Sequence, residues 1–513
     1  MKLREADAIY SPDAPCARIR QIIENGALAV YLSSAEPVSY VVLKWNFSQE
    51  ERFCENVKVL GDAWERSYGD LQWLPVDEKR ALPWLCAASN GSDSDCDASG
   101  RVTRCFGVKT RPAAFCLWQV SDDGVTLTAD VRSGGSGVEL GVRELKVCEA
   151  VFAEYAGVSA FAAMRQFYRL LNDAVLPVPG TVYGSNNWYY AYGKSSAREI
   201  LADTALIRVL TAANGVAPYM VIDDGWQKNA TDGPWHTGNE RFGDMAALAS
   251  EIASAGVKPG LWVRYLADAH RETPNIMDKM RLMRDPNCLD PSHPAVLEKI
   301  AEDTRRFTLE WGYRLIKHDY TTCDIFGCWG FQRPCFMALD GWSFFDRSLT
   351  SAEVIIKLYK TILDSTPKDT VILGCNVIGH LAAGLVHLNR TGDDTSGREW
   401  ERTVKMGVNT LAFRLSQHKA LFDVDADCVG ITGQIPWELN RRWLKLLSKS
   451  GTPLFVSCAP KECRGEVKSD LEKAFLSGAA QTDELIPLDW MERIRPEDWL
   501  VNGERIHISW TKE

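Results

Sequence analysis

After Gly180 the chain settles into one rhythm: a short apolar run that ends in polar residues, then a longer stretch with helical spacing. The apolar runs are TVYGSNNW, YMVIDD, PGLWV, RLIKHD, VILGCN, HLNRTGD, ALFDVDAD and TPLFVS. Helical patterns lie between them, over 197–212, 244–255, 294–311, 352–365, 398–406, 438–450 and 469–480. The connection near Leu381 is short and weak. Helix starts carry caps, as in SSAREIL and SHPAVLEKI. Strands separated by helices cross over and lie parallel rather than pairing as hairpins. Eight such alternations over about 300 residues predict a (β/α)8 barrel.

The preceding residues, 1–175, obey a different pattern. ALAVYLSS, VSYVVLKWNF, VTRCFGV, AAFCLWQV, VTLTADVRSG and RELKVCEAVFAEY are short strand-like runs between Gly, Asp and Ser turns, which predicts an antiparallel sandwich. SNGSDSDCDASG reads as a surface loop. A helical pattern over 159–172 leads to PVPG, a domain boundary. The barrel then occupies 176–480. The remainder, 481–513, holds LIPLDW, WLV and ERIHISW and reads as a short C-terminal β segment. The predicted fold class is α/β: a TIM barrel with an N-terminal antiparallel β-sandwich and a small C-terminal β appendage.

Composition narrows the function. The net charge is −10, from 58 basic and 68 acidic residues, without a basic stripe. Such a chain is a poor binder of nucleic acid or of an anionic membrane. No run approaches the ~20 apolar residues of a membrane span. The N-terminal stretch has no apolar leader, and the 15 cysteines are scattered through apolar segments. Both predict a cytoplasmic chain with reduced thiols. The pairs Cys323/Cys328 and Cys458/Cys463 lack the usual zinc spacing, and the eight histidines form no HExxH, so neither metal nor cofactor is expected. Tryptophan is abundant: 18, equal to phenylalanine and above the 15 tyrosines. Indoles pack cores, but they also stack on sugar rings.

In a barrel, chemistry sits at the C-terminal ends of the strands. Here those ends carry Asn186-Asn187-Trp188, Asp223-Asp224-Gly225-Trp226-Gln227, Lys317-His318-Asp319-Tyr320, Cys375-Asn376, Arg390-Thr391-Gly392-Asp393-Asp394 and Asp425-Ala426-Asp427. Several carboxylates on one rim suit glycoside hydrolysis, which needs one ionised and one protonated carboxyl about an anomeric carbon. Trp188, Trp226 and Trp262 at strand ends, and Trp329 in the loop after strand four, are candidates to line a sugar pocket.

The strings IDDGWQ, GLWV, LIKHD, GCN and RTGDD, in that order, resemble the melibiase-type α-galactosidases of glycoside hydrolase family 36, in clan D. The resemblance covers most of the chain, and IDDGWQ also looks like the raffinose-synthase branch. It implies a nucleophile at Asp319, in the K-x-D motif ending strand four, with Lys317 hydrogen-bonding sugar hydroxyls. It implies an acid/base at Asp393. The chain departs from the family there: Arg390 replaces a tryptophan, and Asp394 fits the R-x-x-x-D spacing of family 27, which makes Asp394 the alternative. Asp223 and Asp224 would bind the 4-OH and 6-OH of galactose. Trp262 would form a pocket wall and Arg284 a sugar contact. Cys375 matches the family cysteine of C-S-G-G-G-G, but Asn376 and the residues after it replace the glycines. That difference, with Arg390, leaves open which group is accepted at sugar C2.

The implied reaction is a retaining double displacement on a terminal α-galactoside, with α-N-acetylgalactosaminide hydrolysis or galactosyl transfer as alternatives on the same site. A non-catalytic carbohydrate-binding barrel is the alternative of a different class. A retaining pair is expected about 5–5.5 Å apart. Lys317, two residues from Asp319, shares its strand face and is expected to keep it ionised, while Asp394 helps keep Asp393 protonated. Asp223 and Asp224 alternate faces, so both reach one sugar only through a bend at Gly225. A homo-oligomer is compatible with the resemblance, since family members vary.

Overall fold

A computed structural model describes residues 2–512 except Glu55, 92–99, Pro334, 336–337 and 482–483. Most of the loop expected at 89–100 therefore lies outside the described residues.

The barrel strands are Tyr183–Asn186, Tyr219–Ile222, Lys258–Val263, Leu315–His318, Val371–Cys375, Leu388–Arg390, a divided seventh strand and Leu454–Cys458. All neighbours pair in parallel, and the eighth strand closes onto the first through Tyr183–Leu454 to Ser185–Val456. Helices Ala197–Leu210, Met245–Ser254, Pro294–Arg305, Ser351–Asp364, Trp437–Leu447 and Gly465–Ala480 cover the outside. Their starts show why they begin there: Ser196, Asp244, His293 and Thr350 each accept a backbone N–H of the first turn.

The structure departs from the sequence pattern in two places. The seventh strand is two pieces: Asp423–Asp425 pairs with strand six and Val429–Ile431 with strand eight. Asp427, at φ +75°, breaks it, and its carboxylate collects Thr395 N (2.7 Å), Thr395 Oγ1 (2.8 Å) and the Arg390 guanidinium (3.0 Å). A buried charge needs those donors more than the strand needs continuity. The helix read at 398–406 runs on to Arg414, as Trp400–Thr403, a π turn at Val404–Val408 and Asn409–Arg414. The Trp443 indole presses on the π turn at Gly407, where a Cβ would lie 2.8 Å from the ring.

The N-terminal sandwich has a five-stranded and a seven-stranded sheet, whose paired strands are antiparallel. Long strands such as Tyr40–Asn46, Phe115–Ser121 and Leu145–Ala156 fall where the alternation places them. The short ones, Lys58–Gly61, Leu74–Pro75, Leu82–Pro83 and Leu85–Ser89, do not show in the pattern. The C-terminal segment forms a three-stranded sheet, and Trp490 packs edge-on against Trp73 and Phe161 of the N-terminal region. Among the described residues no helix is long and apolar enough to cross a membrane.

One join positions the site. Ser67, between the short strands Lys58–Gly61 and Leu74–Pro75, bridges in parallel to Gly392, in the loop after barrel strand six. Ser67 N donates to Thr391 O, and Asp393 N donates to Ser67 O, both at 2.8 Å. The sandwich thus adds one rung of β-pairing to the rim of the barrel.

Candidate active site

A narrow cavity of about 60 Å³ opens at the C-terminal ends of the barrel strands. Trp188, Asp223, Asp224, Trp262, Lys317, Asp319, Tyr320, Asn376 and Asp394 line it from the barrel, and Arg66 from the sandwich.

Asp319 follows strand four. Its own N–H continues the ladder to Val263 O (2.9 Å). Its carboxylate accepts Trp262 Nε1 (3.1 Å), the Tyr320 N–H (2.7 Å) and the Asn376 side-chain amide. Tyr320 and Asn376 both have left-handed backbones, at φ +65° and +59°. Such conformations are costly for tyrosine, though asparagine adopts them more readily, and they persist where surroundings impose them. Here they turn an N–H and an amide onto one carboxylate. Burial pushes the Asp319 carboxyl up, but Lys317, Arg66 and the bonds from Trp262 and Asn376 outweigh it and hold it below the usual range.

The Lys317 ammonium is bonded to Asp223 Oδ2 at 2.7 Å rather than to Asp319, and its influence on Asp319 acts through space. Asp223 is otherwise set by strand one: Asn186 Nδ2 donates to Oδ2 (2.7 Å), and Asn187 Oδ1 accepts the Asp223 N–H (2.7 Å). Asp224 accepts Gln227 Nε2 (2.6 Å) and the Thr231 N–H (3.1 Å), and burial raises its carboxyl despite them. The bend that lets both aspartates line one cavity lies at Gly225, φ +107°, where a Cβ would sit 2.5 Å from Gly193 O.

The two aspartates after strand six diverge. Asp394 lines the cavity; Asp393 does not. Asp393 is clasped between Arg66 (3.0 Å) and Arg402 (2.7 Å). Asp394 accepts Arg390 Nη2 at 2.6 Å and lies 3.6 Å from Arg66. Burial pushes the Asp394 carboxyl up, but Arg390, Arg66 and Lys317 override it and hold it far below the usual range.

Five other candidates stand outside the cavity lining. Trp226 is fully buried behind Trp262, donating to its carbonyl (2.8 Å) and packing on Trp235, Phe307 and Trp311. Cys375 is buried in strand five, and desolvation pushes its thiol up. Arg390 is buried, with each of its three nitrogens engaged, on Asp394, Asp427 and Gly392 O, and it does not line the cavity where sugar C2 would lie. Arg284 holds the carbonyls of Asp324 and Ile325, the end of the short helix Thr321–Phe326, at 2.6 and 2.9 Å. Trp329 stands beside the site, 5.5 Å from the Tyr320 ring with the Arg66 guanidinium 4.9 Å over its own.

Arg66 is the residue that strand-end reasoning misses. It lies in the sandwich, in DAWERSYGD, which has neither strand nor helix period. Its Nε donates to Tyr68 Oη (3.2 Å); Tyr68 in turn donates to Glu65, which also accepts the Gly330 N–H (2.9 Å). The pairing of Ser67 with Gly392, together with the bonds from Gly379 N to Trp64 O (3.3 Å) and from Arg414 Nη1 to Glu65 O (3.2 Å), brings this segment to the barrel rim.

No protein-family model and no curated protein matches the sequence. Solved structures do match the fold. An α-galactosidase from Thermus thermophilus, in complex with p-nitrophenyl α-D-galactopyranoside, aligns with TM-score 0.62 and 18% identity, over 99% of this chain and 98% of its own. A family 36 α-galactosidase from Geobacillus stearothermophilus, in complex with 1-deoxygalactonojirimycin, aligns with TM-score 0.63 and 12% identity, over 94% of this chain and 71% of its own. The galactosidase domain of an α-galactosidase–sucrose kinase aligns with TM-score 0.60 and 15% identity, over 94% and 69%. At these identities the likeness is one of fold: the chain has the architecture of the family 36 α-galactosidases.

Proposed function

We propose that the protein is a retaining glycoside hydrolase that removes terminal α-linked galactose. The observation that carries this reading is the cavity itself: a buried carboxylate kept ionised, Asp319, shares about 60 Å³ with a second carboxyl, Asp394, and with Asp223, Asp224 and Lys317 as hydroxyl binders. The solved structures of like fold that hold p-nitrophenyl α-D-galactopyranoside or stachyose support galactose as the sugar.

In the first step Asp319 attacks the anomeric carbon, and Asp394 protonates the departing oxygen. The glycosidic bond breaks and the aglycone leaves as an alcohol. In the second step water attacks the same carbon, Asp394 takes its proton, and Asp319 is released. Asp394 is preferred to Asp393 because it lines the cavity, whereas Asp393 is engaged by two arginines. The cations that hold Asp394 ionised in the free protein suit its second role, as base. For the first role it gains a proton as the sugar fills the cavity and expels water, which disfavours a carboxylate.

The charges make a pH prediction. Arg66 lowers both Asp319 and Asp394. Arg66→Met removes that positive charge, so both carboxyls titrate at higher pH. The kcat/KM profile of the variant is expected to move to higher pH on both limbs, since it reports the free enzyme's acid and base. An unshifted profile would show that Arg66 does not govern the reacting pair.

The function is tested with p-nitrophenyl α-galactoside, α-N-acetylgalactosaminide and β-galactoside. Turnover of the α-galactoside, with α-galactose as the first-formed product by NMR, is expected. Turnover of the β-anomer alone would overturn the reading.

A further inference from the structure

A second cavity, of about 230 Å³, lies in the sandwich beside the first. The two share one wall residue, Arg66, and Tyr68, Gly330 and Phe331 continue that wall on the far side. Its floor is apolar: Leu60, Leu71, Leu74, Leu82 and Pro83. Two cations line it: Arg66, paired with Asp393 and Asp394, and Arg80. The Arg80 guanidinium donates to Val59 O (3.0 Å), its Nε is buried without a hydrogen-bond partner, and among the described residues no carboxylate pairs with it. The two carboxylates that line the cavity are occupied elsewhere. Asp62 accepts Trp84 Nε1 and Gln417 Nε2, both at 2.8 Å, and pairs with Arg414 (3.1 Å); Asp70 accepts the Tyr68 N–H (2.9 Å).

We propose that this second cavity is the aglycone subsite, and that it takes an alkyl or aryl aglycone ending in an anionic group bound by Arg80. The inference rests on the function proposed above, and specifically on Asp394. A general acid must stand within hydrogen-bonding reach of the glycosidic oxygen. The aglycone therefore emerges beside Asp394, whose neighbour at 3.6 Å is Arg66, the wall common to both cavities. Past that wall the cavity has an apolar floor and a larger volume than the sugar cavity, and among the described residues its cation without a carboxylate partner is Arg80. A guanidinium without a carboxylate partner is best met by an anionic acceptor.

The experiment compares methyl, octyl and 8-carboxyoctyl α-D-galactosides. In the wild-type enzyme kcat/KM is expected to rise about 10²-fold from methyl to octyl through burial of the chain. A further rise of about tenfold is expected for the carboxylate. Arg80→Met should remove the second increment and keep the first. Ala81→Phe, which fills the cavity, should reduce both. Each readout is a ratio within one enzyme, so a general loss of activity does not imitate it. Equal kcat/KM for the three glycosides, in an enzyme that turns over p-nitrophenyl α-galactoside, overturns the subsite and leaves the function standing. An unchanged carboxylate preference in Arg80→Met overturns the role of Arg80. No hydrolysis of any α-galactoside overturns both proposals.

Discussion

Asp319→Ala lowers kcat/KM for p-nitrophenyl α-D-galactopyranoside by about 10⁴-fold or more, because the covalent route is lost rather than weakened. The nitrophenolate leaving group needs little help from an acid, so the loss reports the nucleophile alone. Sodium azide should restore part of the activity by entering the space of the missing carboxylate. Its product should be β-galactosyl azide, since one displacement inverts the anomeric carbon. Asp319→Asn is the control for folding. The amide keeps the shape and can still accept from Trp262 Nε1 or the Tyr320 N–H, but it cannot attack. Activity of Asp319→Ala within tenfold of wild type, or an α-configured azide product from it, would remove Asp319 from the nucleophile's place.

What the chain revealed before its structure was known divides along a physical line. The barrel is legible because its signal repeats: eight apolar runs of four to eight residues, most of them followed by a helical pattern, leave few topologies. The site is legible to the extent that it is made of strand ends, which places Asp223, Asp224, Lys317, Asp319 and Asn376 on one rim. It becomes illegible where tertiary contacts decide. Arg66 reaches the cavity through contacts distant in sequence, among them the pairing of Ser67 with Gly392 across more than three hundred residues of chain. Asp393 and Asp394 are neighbours in a loop, and no periodicity says which faces inward. The clasp of Asp393 between Arg66 and Arg402 decides it, and one of its arms comes from the N-terminal sandwich. Trp226 shows the same limit. It follows Gly225, whose left-handed backbone redirects the chain, so the indole enters the core behind Trp262 instead of the pocket. The tryptophan excess therefore mixes two uses. Trp45, Trp84, Trp118 and Trp443 are core, while Trp188 and Trp262 line the cavity.

Asp394→Ala and Asp393→Ala separate the two roles that adjacency confuses. Asp394→Ala is expected to cost about 10²–10⁴-fold in kcat/KM on methyl α-galactoside, whose leaving group needs a proton. On p-nitrophenyl α-galactoside the first step needs no acid, so the glycosyl-enzyme forms and then waits for a base. That predicts a burst of nitrophenol followed by slow turnover. Azide, which needs no base, should relieve the slow step and give α-galactosyl azide, because two displacements restore the starting configuration. Asp393→Ala removes an anion from between Arg66 and Arg402 and leaves the cavity's own carboxyls in place. Its loss should be similar for both substrates, without a burst and without azide rescue, and the freed Arg66 should lean further on Asp394. The opposite outcome, with burst and rescue in Asp393→Ala and none in Asp394→Ala, would return the acid/base role to Asp393. The clasp would then have to open when sugar binds, and Arg402→Ala, which loosens it, would be expected to raise kcat/KM instead of leaving it flat.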